Sequence, residues 1–155
     1  MKCLKLLCVL LACSLTCSTL AVAQETGYWR ATSSTAKSIT GDIALNSEKI
    51  AINFNSYWIA QIRALTPSEL SAAFGMDTNA STPGAGNLYR LSIPGNKKFL
   101  RKSTLCAGED VQWLATYTTG RKLQLALFST SHMPVLTPEV LTNDPDLCGV
   151  FEYVK

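Results

Sequence analysis

Apolar and polar residues alternate through positions 49–65. Ile50, Ile52, Phe54, Trp58, Ala60 and Ile62 fall on even positions, and Asn53, Asn55, Gln61 and Arg63 on odd ones. A period of two sends successive side chains to opposite faces, so the stretch predicts strand with one buried and one wet face. Asn55-Ser56 in its middle predicts a two-residue turn that makes it a hairpin, with the even parity kept throughout. Further strands are expected over 27–33 and 39–45, the second followed by a turn at Asn46-Ser47-Glu48. The series continues over 88–93, 99–103, 111–118, 122–129 and 150–154, with Pro94-Gly95-Asn96 and Thr119-Gly120 as turns. Val111, Trp113, Ala115 and Tyr117 share one face of their strand, and Leu123, Leu125 and Leu127 one face of the next.

One helix is well marked. Thr66-Pro67-Ser68-Glu69 joins a capping box to a proline at the first helical position. Leu70 and Phe74 are spaced to share a face, and Gly75 stands where a C-terminal cap belongs, so a short helix is predicted over 66–74. The loop over 76–87, rich in Thr, Asn, Ser, Pro and Gly, is the segment expected to move most. Eight or nine short strands with one helix predict a mostly β fold, a small antiparallel β-barrel or strongly curved sheet. An outer-membrane barrel is disfavoured, because the strands are short and the last residue is Lys155 rather than part of a lipid-facing aromatic strand.

The N-terminal pattern is of another kind. Lys2 and Lys5 precede an apolar run over 6–20, and Ala21-Val22-Ala23 follows with small side chains where a signal peptidase needs them. Residues 1–23 are therefore expected to be a cleaved signal peptide, leaving a single domain over 24–155. Lipidation at Cys13 or Cys17 is the alternative. No second apolar run predicts an integral membrane segment after cleavage.

Losing the leader changes the composition. Of six cysteines only Cys106 and Cys148 remain, and two cysteines in an exported domain are expected to pair. They would close a loop of about 43 residues, worth roughly 4 kcal/mol in the chain-entropy model. Without Lys2 and Lys5 the chain carries 12 cationic against 11 acidic side chains, which argues against nucleic acid as a partner.

Gly27-Tyr28-Trp29 resembles the G-x-W signature that opens lipocalin-type barrels, in which the tryptophan closes one end. Residues 38–43 (Ser-Ile-Thr-Gly-Asp-Ile), Leu105-Cys106 and Leu147-Cys148-Gly149 resemble a group of exported Gram-negative bacterial proteins of unknown function. The resemblances imply a barrel and a periplasmic or secreted location. They supply no catalytic residue.

The remaining candidates are weighed by chemistry. His132 is the only histidine and lacks a local nucleophile signature, so no catalytic residue is assigned. Lys97, Lys98, Arg101 and Lys102 form one basic cluster, but strand alternation splits the charges between two faces. Asp42, Glu109 and Asp110 complete the acidic candidates with Asn143-Asp144-Pro145-Asp146, which has oxygen ligands without the glycine and distant glutamate of a calcium loop. No metal and no cofactor is expected. Asn79-Ala80-Ser81 is a glycosylation sequon, relevant only in a eukaryotic host.

Trp29, Trp58, Trp113 and Tyr117, with Tyr57 beside them, are the candidates for lining a ligand cavity. The leading expectation is a non-enzymatic exported module that holds a small apolar molecule in its barrel. The second is a periplasmic inhibitor or immunity-type protein, which would present 76–87 or 129–138 to a partner enzyme.

Overall fold

The computed structural model describes residues 25–76, 84–95 and 105–155. The expected leader, the strand over 99–103, the basic cluster and the sequon at Asn79 lie outside these residues. The described chain forms a closed antiparallel barrel of eight strands in sequential order. They are β1 (Gly27–Ala31), β2 (Ile43–Leu45), β3 (Lys49–Ile52), β4 (Asn55–Ala64), β5 (Asn87–Ile93), β6 (Val111–Thr119), β7 (Lys122–Phe128) and β8 (Leu147–Val154). Closure through β1 and β8 rests on Arg30 opposite Val154 and Ala31 opposite Tyr153.

Strict antiparallel order sorts the connections into two ends. The β1–β2, β3–β4, β5–β6 and β7–β8 connections emerge together, at what is called here the Phe54 end. The chain's entry, the other three connections and the C-terminus lie at the opposite, Trp29 end.

The alternating stretch at 49–65 does form a hairpin, but its turn is Asn53-Phe54 rather than Asn55-Ser56. Ile52 pairs with Asn55 and Lys49 with Trp58. A two-residue turn pairs even positions with odd ones, and paired residues face the same side. The inward parity therefore switches at the turn. Ile50 and Ile52 are buried in β3 and Ile59 in β4, while Trp58 and Ile62 point outward. The expected single parity is corrected on this ground.

The marked helix forms as expected, here α2 (Pro67–Phe74). The Thr66 hydroxyl accepts from the Glu69 N–H, the Glu69 carboxylate accepts from the Thr66 N–H, and Gly75 ends the helix at φ 64°. Two further helices correct the expectation of one. In α1 (Ser34–Ile39), the segment between the two expected strands coils into a helix that takes Ile39 from the second, with the Ser33 hydroxyl accepting from the Ala36 N–H at 3.1 Å. The other, α3 (Pro138–Leu141), is a single turn behind Thr137-Pro138.

Two hydrophobic cores result. The first takes Trp29, Ile43, Ile50, Ile59, Leu91, Leu114, Leu125 and Phe151, one from each strand in turn, and fills the barrel interior. Ala36 of α1 joins it, so α1 closes the Phe54 end. The second lies on the outer wall, where Leu88, Trp113, Ala115, Tyr117, Ala126 and Phe128 pack beneath Leu70 of α2 and Leu136. Helices thus cover the outside of β5–β7. The strand-face expectations hold: Val111 apart, the β6 residues expected to share a face pack outward, and the three β7 leucines point inward.

Cys106 and Cys148 form the expected disulfide, 42 residues apart in sequence with Cα atoms 4.7 Å apart. It ties a 3-10 turn (Leu105–Gly108) in the β5–β6 connection to the start of β8. In the loop expected to move, Ala85 pairs with Thr118 through two backbone hydrogen bonds, which anchors the chain to β6 just before β5.

Candidate functional site

The four residues expected to line one cavity occupy three environments. Trp29 is fully buried inside the barrel; its indole N–H donates to the Glu25 carbonyl at 2.8 Å, and the Lys155 ammonium lies 4.4 Å from its ring. Trp113 and Tyr117 belong to the outer core. Arg90 lies over the Trp113 ring at 4.7 Å, and Tyr117 stacks on Phe74 with centroids 5.9 Å apart. Trp58 stands on the bare outer wall, 67% exposed, beneath the Lys49 ammonium at 3.9 Å. The parity switch accounts for Trp58, and α2 with α3 for the other outward pair.

The interior turns polar near the Trp29 end. The entry segment brings the Glu25 carboxylate to the Tyr89 hydroxyl and the Asn87 amide, each donating at 2.8 Å. Burial, with the neighbouring carboxylate, pushes the Tyr89 hydroxyl far above its usual range, so it stays protonated and able to donate. Toward the other end, Tyr153 is raised by burial in the same way and shares a 2.6 Å hydrogen bond with the Thr40 hydroxyl of the β1–β2 connection. These groups close the barrel around its own side chains.

The Phe54 end differs. Asn53 and Phe54 both lie in the left-handed region, at φ 48° and 63°, as a type I′ turn demands. Asparagine tolerates that region; phenylalanine has no such tolerance, and glycine is the residue that fits there. The Phe54 side chain is also fully exposed. On the bare wall behind it, Tyr28 is 62% exposed and donates its hydroxyl to Asp42. That bond, with the Ala31 N–H at 2.8 Å on the other carboxylate oxygen, holds the Asp42 carboxyl below its usual range.

The β7–β8 connection leaves from the same end and exposes Met133, Val135 and Val140. His132 in this connection is exposed, with the Ser131 hydroxyl 3.2 Å from Nδ1. Asp144 Oδ1 accepts from the Asp146 N–H at 2.9 Å, a side-chain turn that explains the acidic spacing there. Among the described residues, no group of three or more His, Cys, Asp or Glu side chains is placed to hold a metal ion. No described helix is long and apolar enough to cross a membrane.

On the even, apolar parity Phe54 reads as an inward residue, and the sequence pattern gives no sign of it as a surface group. Asn53 tolerates the left-handed conformation and offers a turn start there, but Asn55 offers the same one two residues on, so the residues alone do not separate the two turns. No family model, curated protein or solved structure matches the chain.

Proposed function

We propose that the chain is an exported binding module that engages a partner protein through the Phe54 end of its barrel, in the manner of an inhibitor or immunity-type protein. One observation carries the reading: a wholly exposed phenylalanine occupies a turn position that suits glycine. The left-handed region costs an ordinary residue about 1–2 kcal/mol, and an exposed ring recovers none of that in folding. Residues held in such conformations cluster where a surface is used. Met133, Val135 and Val140 add apolar area at the same end, within and just beyond the 129–138 connection expected to meet a partner.

The disulfide supports export, since such crosslinks persist in oxidising compartments. Trp29 beneath Lys155 at one barrel end supports a lipocalin-like architecture. An apolar molecule inside the barrel is the weaker reading, because side chains from all eight strands meet there.

The test immobilises oxidised residues 24–155 and exposes them to the exported fraction of cells that make the protein. Phe54→Gly and Glu48→Ala, a control at the opposite end, are run beside the wild type. Retention by the wild type and Glu48→Ala, with loss in Phe54→Gly, is the expected result. Equal retention by all three, or by none, would contradict it.

A further inference from the structure

The outer wall carries a separate feature, away from the Phe54 turn. Between the end of α2 and the β7–β8 ladder runs an open groove of about 510 Å3. Clefts that take small molecules span roughly 300–1,000 Å3. One side is apolar, with Phe74 and Met76 beside the Phe74–Tyr117 stack. The floor is polar. Gln124 and Glu152 are opposite one another on β7 and β8, their side chains joined by a 3.3 Å hydrogen bond, and Lys122 stands two residues before Gln124 on the same outward row.

This composition restricts the occupant. A wholly apolar ligand would strip water from an amide, a carboxylate and an ammonium without replacing it, at about 1–3 kcal/mol for each uncompensated group and more for the charged ones. A simple anion or cation would meet Glu152 and Lys122, charges of opposite sign, on one floor. A neutral polyhydroxylated ring satisfies both walls. Its hydroxyls donate to Glu152 and to the Gln124 carbonyl and accept from Lys122 and the Gln124 amide. Its C–H face lies against Phe74 and Met76. We infer that this groove is a saccharide-binding site, with Glu152 and Gln124 as its recognition residues.

The test is an amide-shift titration of isotopically labelled, oxidised residues 24–155 with glucose, maltose and N,N′-diacetylchitobiose. At least one sugar is expected to give saturable shifts at Phe74–Met76, Lys122–Gln124 and Glu152. Glu152→Ala and Gln124→Ala, both on the outer wall, should keep the wild-type melting temperature and bind at least about tenfold more weakly, the loss of one hydrogen bond to a charged or amide group. Should either variant melt early, Lys122→Ala takes its place. Silence with all three sugars overturns the inference. So do shifts that map elsewhere, or binding undiminished in the variants.

Discussion

Two residues show how local chemistry and tertiary demand part company in this chain. Asn53 enters the left-handed region at little cost, and its carbonyl accepts from the Asn55 side chain at 2.9 Å. Phe54 follows it there with nothing to recommend the conformation. Glu69 shows the opposite case, a residue that every local rule favours. Its carboxylate closes the capping box and takes two hydrogen bonds from the Arg63 guanidinium, at 2.6 and 2.8 Å. The guanidinium, helped by the Thr66 N–H and hydroxyl, holds the carboxyl at about 2 instead of 4.5. A carboxyl lowered on folding contributes stability above its unfolded value and loses it as pH falls toward the folded one. The contribution is thus complete above about pH 5 and is lost as pH falls through about 2. Glu69→Gln should cost about 1 kcal/mol at pH 7 and clearly less at pH 2, read by denaturant unfolding at both. An equal cost at the two pH values would exclude the ion pair as its source.

Elements were legible where they announce themselves by period or cap. The strands β5 to β7 lie within a residue of their expected bounds, and α2 is where Thr66-Pro67 and Gly75 place it. The two missed helices are too short for a 3.6-residue pattern to develop: α1 buries only Ala36, and α3 is one turn. Thr137-Pro138 echoes Thr66-Pro67 and was the available signal. The candidate site was less legible, because the face a residue takes depends on where the turn falls. Moving the turn by two residues keeps the pairing odd-to-even, so even a correct turn type demanded a parity switch that the apolar pattern of Trp58, Ala60 and Ile62 conceals. Close approach between elements was also invisible. A Cβ on Gly86 would collide with the Thr116 carbonyl oxygen and lie 2.6 Å from Leu70 Cδ2, so this glycine lets the chain returning from α2 lie against β6. Gly86→Ala should lower unfolding free energy by about 1–3 kcal/mol, the usual cost of overpacking. A wild-type denaturation midpoint would show that the contact yields freely.

At the scale of the molecule, the two ends of the barrel differ in how they are closed. The Trp29 end is sealed by the entry segment, with Glu25, Tyr89 and Asn87 hydrogen-bonded across it. The disulfide braces the other end by joining the β5–β6 turn to β8. Cys106→Ser with Cys148→Ser should lose about 2–4 kcal/mol while leaving the strand content intact by circular dichroism. If stability were unchanged, the crosslink would not be what holds these connections together. The central claim is that Phe54 is retained for binding at the expense of folding. The measurement that tests it most directly combines unfolding free energy and partner retention for Phe54→Gly. Relief of the left-handed phenylalanine should raise stability by about 0.5–1 kcal/mol, less than the full penalty because glycine gains entropy when unfolded. The same variant should release the partner. A less stable Phe54→Gly, or one that holds the partner as the wild type does, would contradict the account.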